Sequence, residues 1–112
     1  MPKKIMLVGP PRLQTAVCMA LREYAEAAYP PGGSECAQVA RAALMDAALD
    51  LESGFAATGS HAELSRRLRG NTKAAIQYFC EQHDQADLLP WLERFISGQE
   101  IGEQELLNGY PD

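Results

Sequence analysis

Cysteine, histidine and long apolar runs are all scarce in this chain, and each shortage excludes a class of protein. The three cysteines, Cys18, Cys36 and Cys80, are odd in number, far apart and without a CxxC pair. With only His61 and His83 to assist, a structural zinc site needs distant convergence, so neither metal nor cofactor is expected. The thiols read instead as small buried hydrophobes in a reducing compartment. No apolar run is long enough to span a bilayer. The N-terminal run, Ile5-Met6-Leu7-Val8, stops at Gly9-Pro10-Pro11, too early for a signal-peptide core. The expectation is a cytoplasmic protein with no membrane partner.

Positive charge is scarce in the last third of the chain. Residues 1–73 carry nine Lys/Arg against seven Asp/Glu, whereas residues 74–112 carry only Arg94 against eight Asp/Glu. The segments are therefore +2 and −7. At a net −5 the whole chain is a poor nonspecific binder of phosphates, and nucleic acid is not the expected partner. The asymmetry predicts a mildly basic side and a strongly acidic one, although a solvated acidic tail has the same composition.

What is present is ordinary globular material: 112 residues, 46% hydrophobic and 22% charged, enough for one core. Residues 1–11 read as an extended lead-in or short strand, 12–97 as a helical bundle, and 98–112 as a short helix and tail. Leu13, Val17, Ala20, Leu21 and Tyr24 make one helical face up to Tyr29, where Pro30-Pro31-Gly32-Gly33 interrupts. Ser34 caps a second helix over 35–52 with the stripe Val39, Ala40, Ala43, Leu44, Ala47 and Leu51, and Gly54 and Gly59 mark the next connection. Ser60-His61-Ala62-Glu63 has capping-box form and predicts a short helix containing Leu64 and Leu68. Gly70 ends that helix, and Asn71 caps another over 72–83. Asp87 caps a fifth over 88–97 with Pro90 in its first turn, and a sixth spans 100–108. A lone strand at 4–8 has no partner in a monomer. The fold class is thus all-α, a single-domain bundle of five or six helices, or else a dimer in which two copies of the strand pair.

The search for chemistry yields no enzyme. Gly9 to Ala16 lacks the second Gly and the Lys of a phosphate loop. Cys80 and His83 are spaced to meet, but Cys80 falls on an apolar stripe, whereas a reactive thiolate needs a polarised, partly exposed place. Asp46 with Asp50, and Glu100 with Glu103, have helical spacing and read as solvated faces. The basic cluster Arg66, Arg67, Arg69 and Lys73 lies across a helix–turn–helix-like stretch, but Lys73 and Gln77 alone offer base contacts. A ribbon–helix–helix reading of strand 4–8 exposes either Lys4, Met6 and Val8 or Ile5 and Leu7, and either set is mostly apolar and a poor base reader. A small dimeric DNA-binding regulator is therefore the alternative reading.

Residues 75–92, Ala-Ile-Gln-Tyr-Phe-Cys-Glu-Gln-His-Asp-Gln-Ala-Asp-Leu-Leu-Pro-Trp-Leu, carry a more particular pattern. An apolar pair, an aromatic, a Glu and a Leu-rich helix start resemble the signature helix pair of effector-associated domains, death-like helical modules of bacterial conflict and signalling proteins. Ile76, Phe79, Glu81 and Leu89 fall at matching places; Asp84 stands where that family usually has Gly, and Ala86 where it has Leu. The resemblance extends loosely over residues 12–97. It implies a non-enzymatic adaptor that joins like modules or recruits an effector protein. Arg66, Arg67, Arg69 and Lys73 would then form one contact surface, and Asp84, Asp87, Glu93, Glu100 and Glu103 the other. Trp91, more often core than surface by residue type, is an interface anchor if exposed.

Overall fold

The computed structural model describes residues 3–109. Met1 and Pro2 of the lead-in, and Tyr110 to Asp112 of the expected tail, lie outside them. The chain opens with strand β1 (Lys4–Val8), which alternates outward Lys4 and Met6 with buried Ile5 and Leu7. Pro10 is extended, and Pro11 begins α1 (Pro11–Ala28) at a position whose N–H has no intrahelical partner to lose. The Gln14 side chain donates to Gly9 O (2.8 Å) and Gly59 O (3.2 Å), tying this turn to a distant one.

Ser34 caps α2 (Glu35–Thr58) by accepting from Ala37 N–H. Helix α2 runs six residues past the expected end. Gly54 does not break it, because its missing side chain serves packing: a methyl there would sit 2.7 Å from Ala62 Cβ. Gly59, at φ +82°, supplies the left-handed stop. The ion pairs Arg22–Glu52 and Arg41–Glu26 make α1 and α2 an antiparallel hairpin. Val39, expected on the buried stripe, is 66% exposed; Gln38 and Arg41, whose side chains donate to Pro30 O and Tyr29 O, make the contacts with the end of α1 instead.

The principal correction concerns residues 60–68. No capped helix forms there. His61–Ser65 is strand β2, followed by a 3-10 turn at Arg66–Leu68. It pairs antiparallel with β1 within the same chain, Ile5 opposite Leu64 and Leu7 opposite Ala62. The residues alternate His61 out, Ala62 in, Glu63 out, Leu64 in. That period of two decides once β1 provides a partner, and burial of Ala62 and Leu64 outweighs one local capping bond. Strand pairing between two copies is therefore not needed to satisfy β1.

Helix α3 (Arg69–Gln82) starts earlier than expected, so Gly70 and Asn71 lie in its first turn and Asn71 is not its cap. Thr72 is wholly buried and donates to Leu68 O at 2.7 Å. After α3, Asp84 takes φ +52°, the left-handed conformation that glycine adopts without strain. A 3-10 turn at Ala86–Leu88 leads into α4 (Leu89–Ile96), where Pro90 occupies the first turn; Asp87 makes no capping bond. Helix α5 is Glu103–Gly109. The core gathers Leu13, Val17 and Leu21 of α1, Leu44, Leu51 and Phe55 of α2, Ile76 of α3 and Phe95 of α4, with Phe55 stacked on Phe95. Ile5, Leu7, Ile101 and Leu106 join that core, so both flanking segments are built into the bundle. No described helix is long and apolar enough to cross a membrane.

Candidate interaction surface

Helix α3 separates two groups of charge by about 20 Å, fourteen residues at 1.5 Å each. At its N-terminal end Arg66, Arg67, Arg69 and Lys73 are all exposed. Among the described residues Arg67, Arg69 and Lys73 form no ion pair. At its C-terminal end lie exposed Glu81, Asp84 and Asp87. Glu93 of α4 is near enough to help raise the pKa of Cys80, and so belongs with this acidic end. Glu100 and Glu103 flank Ile101 and the start of α5, where Ile101 N–H donates to Val8 O at 2.9 Å and Glu105 pairs with Arg94 of α4.

This distribution opposes what helix stability favours. A helix N-terminus carries partial positive charge and its C-terminus partial negative charge, so acids belong first and bases last. Helix α3 has no acid in its first turn and no base in its last. Its side chains enlarge the backbone dipole instead of compensating it. Some other charges are paired, Arg22 with Glu52, Arg41 with Glu26 and Arg94 with Glu105 (2.8 Å), and His83 Nε2 lies 2.8 Å from Glu23 Oε1. Arg41 and Arg94 hold Glu26 and Glu105 below the usual carboxylate range by hydrogen bonding.

Trp91 is half-buried. The Arg94 guanidinium lies 4.8 Å from its ring centroid. Gly109 of α5 also lies against it, since a methyl group there would fall 2.5 Å from the indole, and the ring packs on the core. Trp91 is thus engaged within the fold by α4 and α5.

Cys80 is buried, and burial, with Glu93 nearby, pushes its thiol pKa up, away from the thiolate. The His83 ring lies tilted against Phe79 (centroids 4.4 Å apart) and its Nε2 faces the Glu23 carboxylate, so His83 is engaged away from Cys80. Burial pushes Cys18 up to about 12. Among the described residues no three His, Cys, Asp or Glu side chains gather into a metal site. The helix–turn–helix frame around Arg66–Lys73 lacks its first helix, since β2 occupies that stretch.

One concavity was invisible from the sequence. A groove of about 610 Å³ runs between β2 and α2, lined among others by Asp46, Asp50, Glu63, Ala43, Ala47 and Leu68. Asp46 and Asp50 had the spacing of a solvated helix face. They are exposed, but they flank this groove, because β2 lies alongside α2. No family model, no curated protein and no solved structure matches the chain.

Proposed function

We propose that the chain is a protein-interaction module, an adaptor that joins a like copy or an effector protein through the two charged ends of α3. The observation that carries this reading is the inverted charge order of α3. Arg69, in the first turn of α3, and Glu81, in its last, are both unfavourable to the helix dipole, so local stability does not account for them. Their placement suits a head-to-tail contact in which the basic end of one copy meets the acidic end of the next. Such heterologous contacts form rings or chains. Charge then sets encounter and pairing choice, and apolar contacts made alongside supply affinity. The death-like resemblance of residues 75–92 agrees with this role.

The test is sedimentation of the full chain over a range of concentrations, at low and high salt. Association that weakens with salt is expected, and Arg67→Glu with Arg69→Glu abolishes it. Asp84→Lys with Asp87→Lys in a second copy restores mixed assembly. The basic-end variant also raises thermal stability, because a glutamate in the first turn of α3 suits the dipole. Assembly and stability thus move in opposite directions, which damage to the fold cannot produce. A monomer under every condition, or assembly indifferent to both reversals, refutes the assignment. Salt-sensitive DNA binding by the unaltered chain would favour the regulator reading instead.

A further inference from the structure

We infer that the groove between β2 and α2 captures an extended, basic segment of a partner protein by strand addition to the free edge of β2. This surface adjoins the basic end of α3 at Leu68, but the inference does not depend on the contacts proposed for that end.

The strand register defines the edge. Gly9 N–H donates to Ser60 O and Arg66 N–H to Lys3 O, so the directly hydrogen-bonded pairs are those of Ile5 with Leu64 and Leu7 with Ala62. The intervening residues of β2, His61, Glu63 and Ser65, therefore turn their backbone N–H and C=O away from β1. Thr58 at the end of α2 demonstrates this direction. Its hydroxyl donates to His61 O (2.7 Å) and accepts from His61 N–H (2.9 Å). Ser65 O faces the 3-10 turn that follows. The Glu63 N–H, the Glu63 C=O and the Ser65 N–H make no hydrogen bond among the described residues. The opposite edge of the sheet is shielded: Val8 O accepts from Ile101 N–H, and Gly98 lies against Ile5 and Met6. Long open edges are usually covered or blunted in proteins.

Beside the open edge the α2 face is Ala43, Ala47, Gly54 and Thr58, with no bulky side chain. Thr58 closes one end of the groove and Leu68 the other. Its volume, about 610 Å³, lies within the usual range of ligand clefts, roughly 300–1,000 Å³. The charge identifies the occupant. Asp46, Asp50 and Glu63 face it against Lys4 and His61. Two copies paired edge to edge would bring all of those carboxylates together, so a second copy does not fit. A strand with apolar side chains over Ala43 and Ala47 and basic ones toward the carboxylates does fit.

The probe is a fluorescent peptide alternating Lys with Val, compared with one alternating Glu with Val, titrated against the full chain and read by anisotropy. The basic peptide binds and the acidic one does not. Glu63→Pro deletes the free-edge N–H without touching the β1–β2 ladder, a position where an edge strand accepts proline. It weakens binding about tenfold beyond Glu63→Gln, which removes the same charge but keeps the N–H. Asp46→Asn with Asp50→Asn weakens binding about fivefold at low salt, and the difference closes at high salt. Amide exchange at Glu63 and Ser65 slows in the complex. Thermal melts of each variant confirm an intact fold. Binding unchanged in Glu63→Pro overturns the strand addition, leaving charge attraction alone. Failure of the Lys–Val peptide to bind, or equal binding of both peptides, overturns the occupant. Self-association lost in Glu63→Pro overturns it too, by putting a second copy in the groove.

Discussion

Two glycine-to-alanine changes in helices should move stability in opposite directions, and the reason is the position of β2. Gly54 and Gly70 are both helical. Alanine is about 1 kcal/mol better than glycine in a helix interior, and less in a first turn, where about 0.5 kcal/mol is reasonable for Gly70. Nothing lies within 4 Å of a methyl group at Gly70, so Gly70→Ala keeps its gain. At Gly54 the methyl would lie 2.7 Å from Ala62 Cβ and 3.2 Å from Ala62 Cα. Carbon atoms rest near 3.5–4.0 Å, so β2 must retreat by about 1 Å. Its other edge is held by β1. Overpacking of this kind costs about 1–3 kcal/mol, which exceeds the helix gain. Gly54→Ala should thus destabilise by about 1 kcal/mol net, lowering Tm by about 4 °C, while Gly70→Ala raises it slightly. Urea unfolding followed by far-UV circular dichroism measures both. Ala62→Gly combined with Gly54→Ala should recover part of the loss, giving a favourable coupling of about 1 kcal/mol. If Gly54→Ala stabilises as Gly70→Ala does, residues 61–65 do not lie against α2, and the groove argued from that contact disappears with it.

Asp84→Gly removes the left-handed penalty at φ +52° and should stabilise by about 1 kcal/mol in the same assay, whereas Asp84→Ala should not. Acid sensitivity follows from Glu26 and Glu105, whose folded pKa values lie below their unfolded ones. Each contributes stability that is present above the unfolded carboxylate pKa, about 4.3, and is lost as pH falls through the lower folded value. Stability measured against pH should therefore drop below about pH 4, and Glu26→Gln with Glu105→Gln should flatten that limb. In native protein a thiol reagent should label exposed Cys36 quickly, and buried Cys18 and Cys80 only after denaturation. Fast native labelling of Cys80 would contradict its burial.

The helices were legible because each is specified locally. Ser34, Pro11 and Pro90 mark helix starts through bonds and ring geometry that involve neighbours in sequence. Leu13, Val17 and Leu21 declare a face through spacing alone, and all are buried. Strand β1 was legible as a short strand or extended lead-in because its apolar run stops at Gly9-Pro10-Pro11. Strand β2 was not, since Ser60-His61-Ala62-Glu63 satisfies a local capping pattern as well as a strand pattern. Only a partner more than fifty residues away in sequence selects between them. Gly54 was misread for a related reason. Glycine as a breaker and glycine as a close-contact residue look alike until the opposing chain is placed.

The same division governs the surfaces. The basic group at Arg66–Lys73 was visible because it is contiguous, and one helix length sets its distance from Asp84 and Asp87. Its inversion relative to the helix dipole required knowing that α3 begins at Arg69, three residues before the expected start. The position of Glu100 and Glu103 depends on Ile101 meeting Val8, a contact across most of the chain. The groove depends on long-range order still more strongly. Asp46 and Asp50 look like a solvated helix face, and Glu63 like a capping residue. Only the pairing of β2 with β1 turns them toward a common trench and frees one strand edge beside it. A recognition surface made of backbone edge and small side chains leaves almost no compositional trace, because alanine and an unpaired N–H are silent in sequence. Charge signals therefore led to the ends of α3, while the open strand edge emerged only from the register of two five-residue strands.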